Sequence, residues 1–357
     1  AFQDAVTQPS VFQSMLYSVI NNYDAATLRF ITGEMQGADG GMYTSLEEQA
    51  ESPSGRDVLS ESQGLLMEYA VAAGNRELFD SAYQYAREYL ERNGLFLWYC
   101  SADGQGPTSN AFLDDLRIYG ALLQAQELWG GYDKDLERLE QALCRYNLVK
   151  GNPVDFYDFS TKQTGDSFSL CYSDLNSIRA IAERCGIDGL YENTLKILEN
   201  GYISDEFPFY YAAWSYVEQD YSEDDLNMIE AMYTLYHLAK DGRLRDSSKQ
   251  WLLEQLKGNG IMARYRVDGS VVPGYGYEST GIYALAAMVG VECDDADMIS
   301  LAVARMNQMR IYDSAIRYDG AFGNTDGTGI YSFDQCMALC AYEKLNKWMA
   351  LETDHKS

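Results

Sequence analysis

Val58-Leu59-Ser60-Glu61-Ser62-Gln63-Gly64 ends one loop and opens a helix that runs on through Leu65-Leu66-Met67-Glu68-Tyr69-Ala70-Val71-Ala72-Ala73. Ser60 is a good N-cap residue, and Gln63 three places later completes a capping-box pattern. The helix is apolar on most faces, so it is expected to be buried. Glu61 therefore stands at the mouth of a buried helix. Such an acid can simply complement the helix dipole, which is worth roughly 0.3–1 kcal/mol. It can also be a catalytic acid held over a central cavity.

The pattern around this stretch recurs along the chain. An amphipathic helix over Val11–Tyr23 comes first, then a loop rich in Gly and acids from Thr32 to about Arg56. Helices then come in pairs: 62–73 with 76–92, 114–129 with 133–147, 173–185 with 188–200, 224–240 with 246–257, and 277–289 with 294–308. A last helix runs from about Ser332 to Trp348. The first acids of the leading helices are Glu61, Asp115, Asp174, Asp225, Glu278 and Asp334, spaced by 54, 59, 51, 53 and 56 residues. This is a structural repeat with little repeat of sequence. Leading-to-trailing joins are short and carry Gly; trailing-to-leading joins run to roughly 20 residues and hold strand-like pieces such as Leu95-Phe96-Leu97-Trp98-Tyr99. The long joins therefore share one rim, where function usually sits. Leading helices are the more apolar and trailing ones the more charged. The expected fold is all-α: a single (α/α)6 toroid over residues 1–357, with six inner and six outer helices and short β-hairpins in the rim loops. The 11–23 helix is expected to be the outer partner of the last inner one.

Composition narrows the function. Lys plus Arg is 27 and Asp plus Glu is 54, a formal charge of −27. Phosphate binding needs clustered cations, so nucleic acid and anionic membranes are poor partners. The 29 Tyr and 5 Trp suit a sugar ligand, although Tyr also fills cores. Seven Cys without a CxxC argue against a disulfide framework or a structural zinc site. With only His237 and His355, a His triad or a multi-His metal site is excluded, and His237 reads as a core or rim residue. Asn324-Thr325-Asp326-Gly327 lacks the acid spacing of a calcium loop. No metal or cofactor is expected. No apolar run reaches the length of a membrane span. The chain starts at Ala1 without Met. That fits removal of an export segment, so an extracellular or cell-envelope monomer is expected.

Crowded helix N-termini on one rim bring carboxylates close together. Inverting glycoside hydrolysis needs such a pair, one acid and one base about 6.5–9.5 Å apart. Neighbouring charge and burial would raise the pKa of the acid.

The residues themselves resemble a known family. Ser60-Glu61-Ser62-Gln63-Gly64, followed by Met67, Ala70-Val71, Ala73-Gly74-Asn75 and Leu78-Phe79, is similar to the S-E-G-Q-G-x-x-M…A-V…A-G-D…L-F segment of glycoside hydrolase family 8. Asp115-Leu116-Arg117-Ile118-Tyr119-Gly120-Ala121-Leu122-Leu123-Gln124-Ala125, ending at Trp129, resembles its signature D-x-x-I-A-x-A-L-L-x-A-x-x-x-W, with Tyr119 in place of a small Ala. The resemblance is good over about residues 57–130 and diffuse afterwards. It implies that Glu61 is the general acid and that Trp98 stacks a sugar. The family usually reads A-S/T-D-A/G-D before the signature, whereas this chain has Ala111-Phe112-Leu113-Asp114-Asp115. Leu113 thus stands at the first Asp and Asp115 at the second; Asp115 is expected to bind and help distort the central sugar, with Asp114 also touching substrate. By the same resemblance the base opens the fourth inner helix. Asp225 fits the register best, with Asp224 and Asp220 as rivals; the family's Arg and Pro are absent there. Tyr172 and Tyr331 resemble rim tyrosines that contact substrate, and packing serves as well for each.

The expected activity is inverting, endo-acting hydrolysis of a β-linked polysaccharide, a β-glucan or a bacterial exopolysaccharide. One rival is another toroid sugar enzyme, such as an unsaturated-uronyl hydrolase or a sugar epimerase; two His poorly supply an epimerase, and the charge of −27 disfavours a lyase on uronates. The other is a catalytically inactive carbohydrate-binding toroid.

Overall fold

The computed structural model describes residues 11–356, and most of that length is helical. In chain order the helices are α1 (Val11–Ile20), α2 (Tyr23–Phe30), α3 (Ser60–Ala72), α4 (Arg76–Tyr85), α5 (Phe112–Trp129), α6 (Asp133–Tyr146) and α7 (Leu175–Cys185). They continue with α8 (Leu190–Asn200), α9 (Met228–Lys240), α10 (Asp246–Lys257), α11 (Thr280–Glu292), α12 (Ala296–Asn307) and α13 (Ser332–Lys356). Helices α3, α5, α7, α9, α11 and α13 each pack on the next, and α13 returns to α3, so six helices close an inner ring. Outside it, α4, α6, α8 and α12 back α3, α5, α7 and α11, while α10 lies against α12. This is the (α/α)6 toroid. Both N-terminal helices share the closing role: α2 backs α13, and α1 packs chiefly on α12.

Sequence pattern sets which helix lies where. Every residue of α11 from Thr280 to Gly290 is buried, so this helix has no solvent face. The outer helix α6 buries Leu136, Leu139, Glu140, Ala142 and Leu143, a single stripe at three- and four-residue spacing. Each fully buried Leu or Ile in this core contributes roughly 1.5–3 kcal/mol. Inner helices also meet closely. A Cβ on Gly281 would stand 2.7 Å from the Phe333 ring, so only glycine lets α11 approach the start of α13.

The first turns of the inner helices hold the rim loops. Ser60 and Gln63 do not form a capping box: no side chain caps α3. Gln63 is fully buried, so its amide is used for tertiary bonds instead. Its Oε1 accepts from the Met42 N–H at 2.8 Å, and its Nε2 donates to the carbonyls of Gly40 (3.0 Å) and Ala82 (3.1 Å). Gln335 of α13 does the same for Phe322, accepting from its N–H at 2.8 Å and donating to its carbonyl at 2.7 Å. The linkers carry only short strands. Val58–Leu59 pairs with Tyr99–Cys100, and Leu226–Asn227 with Arg264–Tyr265.

Several boundaries differ from the sequence expectation. The helical path from Tyr23 continues through a π turn, Ile31–Met35, where a loop was expected from Thr32. The first trailing helix stops at Tyr85, followed by a π turn, Ala86–Leu90. The fourth leading helix starts at Met228, not 224, because Asn227 is its N-cap, accepting from the Ile229 and Glu230 N–H groups. The last helix runs past Trp348 to Lys356. The start of the chain, on which the export expectation rests, lies outside the described residues. Among the described residues no helix is long and apolar enough to cross a membrane.

Gln63→Leu keeps the side-chain bulk but strands one N–H and two carbonyls. The free energy of unfolding in urea should fall by about 2–4 kcal/mol. A fall below about 1 kcal/mol would mean that these backbone groups find other partners.

Candidate active site

The N-terminal ends of the inner helices surround a cavity of about 440 Å³. Glu61 reaches it from the first turn of α3, and Asp114 and Arg117 from α5. Glu230 and Tyr233 come from α9, three places round the ring from α3 and therefore opposite Glu61. Linker residues complete the wall. Trp98 is fixed by its carbonyl, which accepts from the Ser60 N–H at 3.0 Å, and is braced edge-on by Tyr99 at 4.4 Å between ring centroids. Asp155 enters from the next linker, tied by the Ser169 N–H and hydroxyl at 2.6 Å each. Tyr172 lies beside it, and Phe156 stands 40% exposed at the mouth.

Arg117 organises this cavity. The residue is only 3% exposed, flanked by the buried Leu116, Ile118 and Tyr119. Its Nη1 lies 2.8 Å from Asp114 Oδ1 and 3.6 Å from Glu61 Oε2. Its guanidinium sits 4.8 Å from the centre of the Tyr233 ring, and its Nε donates to Tyr233 Oη at 3.4 Å. The Ser60 hydroxyl donates to Asp114 Oδ2 at 3.1 Å. Burial raises the Glu61 carboxyl above the usual range, against the pull of Arg117. Burial also pushes Asp114 up, to about 7, against Arg117 and with the Glu61 charge adding to the rise. The two carboxyls therefore titrate as a pair. The shorter ion pair and the Ser60 hydrogen bond both favour the charged form of Asp114. On the far wall, burial raises Glu230, and the Glu61 charge adds to this against Arg264. No hydrogen bond to the Glu230 carboxylate occurs among the described residues.

The sequence-predicted residues divide in two. Glu61, Asp114, Trp98 and Tyr172 all line the cavity. Asp115, Asp225 and Tyr331 do not. Asp115 is fully buried behind the wall, where its carboxylate accepts from the Phe96 N–H at 2.8 Å and from Asn110 Nδ2 at 2.6 Å. It anchors the linker, because one step along the helix turns it about 100° away from Asp114. Asp225 is exposed and lies before the Leu226–Asn227 strand, three residues short of the helix. Asp220 and Asp224 are likewise exposed. Tyr331 is 40% exposed at the rim, where its hydroxyl meets Gln49 Nε2 at 3.4 Å; Phe333 faces the cavity from α13. Sequence reading missed Arg117, Asp155, Glu230 and Tyr233. Two of them left a signal: an Arg within an apolar run, and the N-x-x-E pattern Asn227-Met228-Ile229-Glu230 at a helix start. His237 is buried, with its ring Nε2 2.9 Å from the Cys171 carbonyl, and burial lowers it to about 3. Among the described residues no group of three or more His, Cys, Asp or Glu could hold a metal ion.

Arg117→Met removes the counter-charge of two buried carboxyls. Both then rise further above their unfolded pKa values, so the penalty lies in ionising them within the fold. At about pH 8 unfolding free energy should drop by about 3–5 kcal/mol. The drop should shrink as pH falls below about 7 and the carboxyls take up protons. Urea unfolding on both sides of that pH checks this; a loss independent of pH would assign Arg117 to packing on Tyr233 alone.

A sequence model of the glycosyl hydrolases family 8 matches residues 29–154. The protein YdaJ of Bacillus subtilis (strain 168), named as a lipoprotein, is 29% identical over 300 residues, 80% of this chain and 79% of its own. The structure of a novel alpha-amylase from Clostridium perfringens superposes with a TM-score of 0.84 at 28% identity, covering 90% of this chain and 97% of that one. The family 8 endoglucanase Cel10 from Klebsiella pneumoniae superposes with a TM-score of 0.63 at 18% identity, covering 90% and 99%, a likeness of fold. The matched segment carries Glu61, Asp114 and Arg117, and the toroid around it is that of family 8 glycosidases. Over residues 29–154 the chain matches glycosyl hydrolase family 8, in keeping with a divergent member, and it is a glycosidase.

Proposed function

We propose that the whole chain acts as one catalytic domain, a monomer, that hydrolyses a β-linked polysaccharide within the chain and with inversion. The observation that carries this is the pairing of Glu61 with the Arg117-bound Asp114, across a cavity from the unbonded carboxylate of Glu230. Glu61 protonates the leaving glycosidic oxygen. Glu230, on the opposite wall, takes a proton from the attacking water. Asp114, in place of Asp115, accepts from hydroxyls of the central sugar. Trp98 offers its ring to a neighbouring sugar, and Tyr172 donates from the side. No metal or cofactor enters this scheme. A cell-envelope location is supported by the lipoprotein name of YdaJ.

The β linkage rests on the family 8 match. The alpha-amylase likeness, at 28% identity over most of the chain, favours a second reading in which the substrate is an α-glucan. The acid–base pair serves either linkage, because an acid and a water-activating base about 6.5–9.5 Å apart invert an α- or a β-glycoside alike.

Reducing-sugar release from β-glucan, xylan, chitosan, amylose and bacterial exopolysaccharides separates these readings. Glu61→Gln and Glu230→Gln should each cut kcat on the cleaved polymer by about 10²–10⁴-fold. Asp225→Asn should leave kcat within about twofold. The rate should fall as pH rises through the raised pKa of Glu61, since the acid must keep its proton. Near wild-type turnover by Glu61→Gln would sink the assignment. Binding without turnover, unaffected by Glu61→Gln, would favour a carbohydrate-binding protein.

A further inference from the structure

A second group of residues, beside the cavity and not lining it, carries the marks of a ligand site. The linker before α11 presents two exposed aromatics, Tyr275 at 37% and Tyr277 at 55%, with ring centroids 6.2 Å apart and planes inclined by 31°. The Arg264 guanidinium lies 5.0 Å from the centre of the Tyr275 ring. Among the described residues its side chain makes no hydrogen bond or ion pair, and its Nε is a buried donor without a partner. The Ser279 hydroxyl, two residues past Tyr277, is buried and unpartnered as well. Unsatisfied groups of this kind are rare in folded proteins and ask for an explanation.

The backbone ties this patch to the cavity. Arg264 pairs with Asn227, the N-cap of α9, whose first turn carries Glu230. The Ala263 N–H donates to the Tyr275 carbonyl at 3.2 Å, and the Val272 N–H to the Arg264 carbonyl at 3.1 Å. Arg264 is also the cation that opposes the rise of Glu230. Tyr275 and Tyr277 thus stand on the rim between α9 and α11. Trp98 stands across the ring, beside α3. Aromatic faces flank the opening on two opposite sides.

We infer that Tyr275, Tyr277 and Arg264 form a remote subsite for the same polysaccharide chain, several sugars from the bond that is cut. A pyranose ring there lies on a tyrosine face, and its hydroxyls accept from the free guanidinium of Arg264. The inference rests on the glycosidase reading above. It adds that the enzyme holds a chain spanning the mouth, so affinity grows with chain length.

The test uses binding, so it does not depend on turnover. In the Glu61→Gln background, cellotriose, cellohexaose, maltotriose and maltohexaose are titrated by calorimetry. At least one hexaose should bind about tenfold or more tightly than its triose. Tyr275→Ala with Tyr277→Ala should erase most of that difference, with the triose Kd moving less than about twofold. Arg264→Met, which keeps the stem, should act in the same direction; both tyrosines are exposed enough for their variants to fold. The proposal is overturned if neither hexaose outbinds its triose. It is also overturned if the variants keep the length preference, or if both lengths weaken equally. Loss of hydrolysis in Glu61→Gln is a separate result and decides only the catalytic reading.

Discussion

One buried cation governs the site. A guanidinium that is 3% exposed costs several kcal/mol in lost hydration unless it is paired. Arg117 meets that demand with Asp114 at 2.8 Å and the face of Tyr233 at 4.8 Å. Its position brings three groups together: Asp114 at 2.8 Å, Glu61 at 3.6 Å and the Tyr233 ring of α9 at 4.8 Å. Leu113 lines the cavity beside Asp114 and Arg117.

The toroid makes this possible by geometry. Six inner helices bring their N-termini to one rim, and each contributes a positive dipole end that favours carboxylates. The first turns of α3, α5 and α11 are largely buried, so a polar side chain there needs a partner. Two solutions are used. Gln63, Gln335, Asp115 and Asp334 bind backbone N–H groups of linkers or of the neighbouring helix. Glu61, Asp114 and Glu230 face the cavity instead. The long linkers are held by the first set and bring Trp98 and Asp155 to the second.

This division explains what the sequence disclosed. The toroid was legible because the apolar leading helices, short Gly-bearing joins and long return joins all repeat at one spacing. Glu61 was legible because its flanking motif is local. Asp115 and Asp114 are adjacent, and only the rotation of α5 tells which one turns inward; a repeat of acids does not encode that. Asp225 was favoured by counting acids, but Asn227 caps the helix, so the first acid inside it is Glu230. Asp155 is set by the Ser169 contacts across a linker, a tertiary fact with no local signature. Tyr331 and Phe333 differ by two residues at the start of α13, and the rim geometry alone selects Phe333.

The central claim is that an acid on α3 protonates the leaving oxygen while a base on α9 deprotonates a water that attacks from the opposite face. The direct test is the anomeric configuration of the first product, read by proton NMR within minutes of adding enzyme to the cleaved polysaccharide. Opposed carboxylates with water between them predict inversion: an α-anomer from a β-linkage, or a β-anomer from an α-linkage. Release of the retained anomer would require a covalent intermediate on one of the carboxylates and would contradict the account.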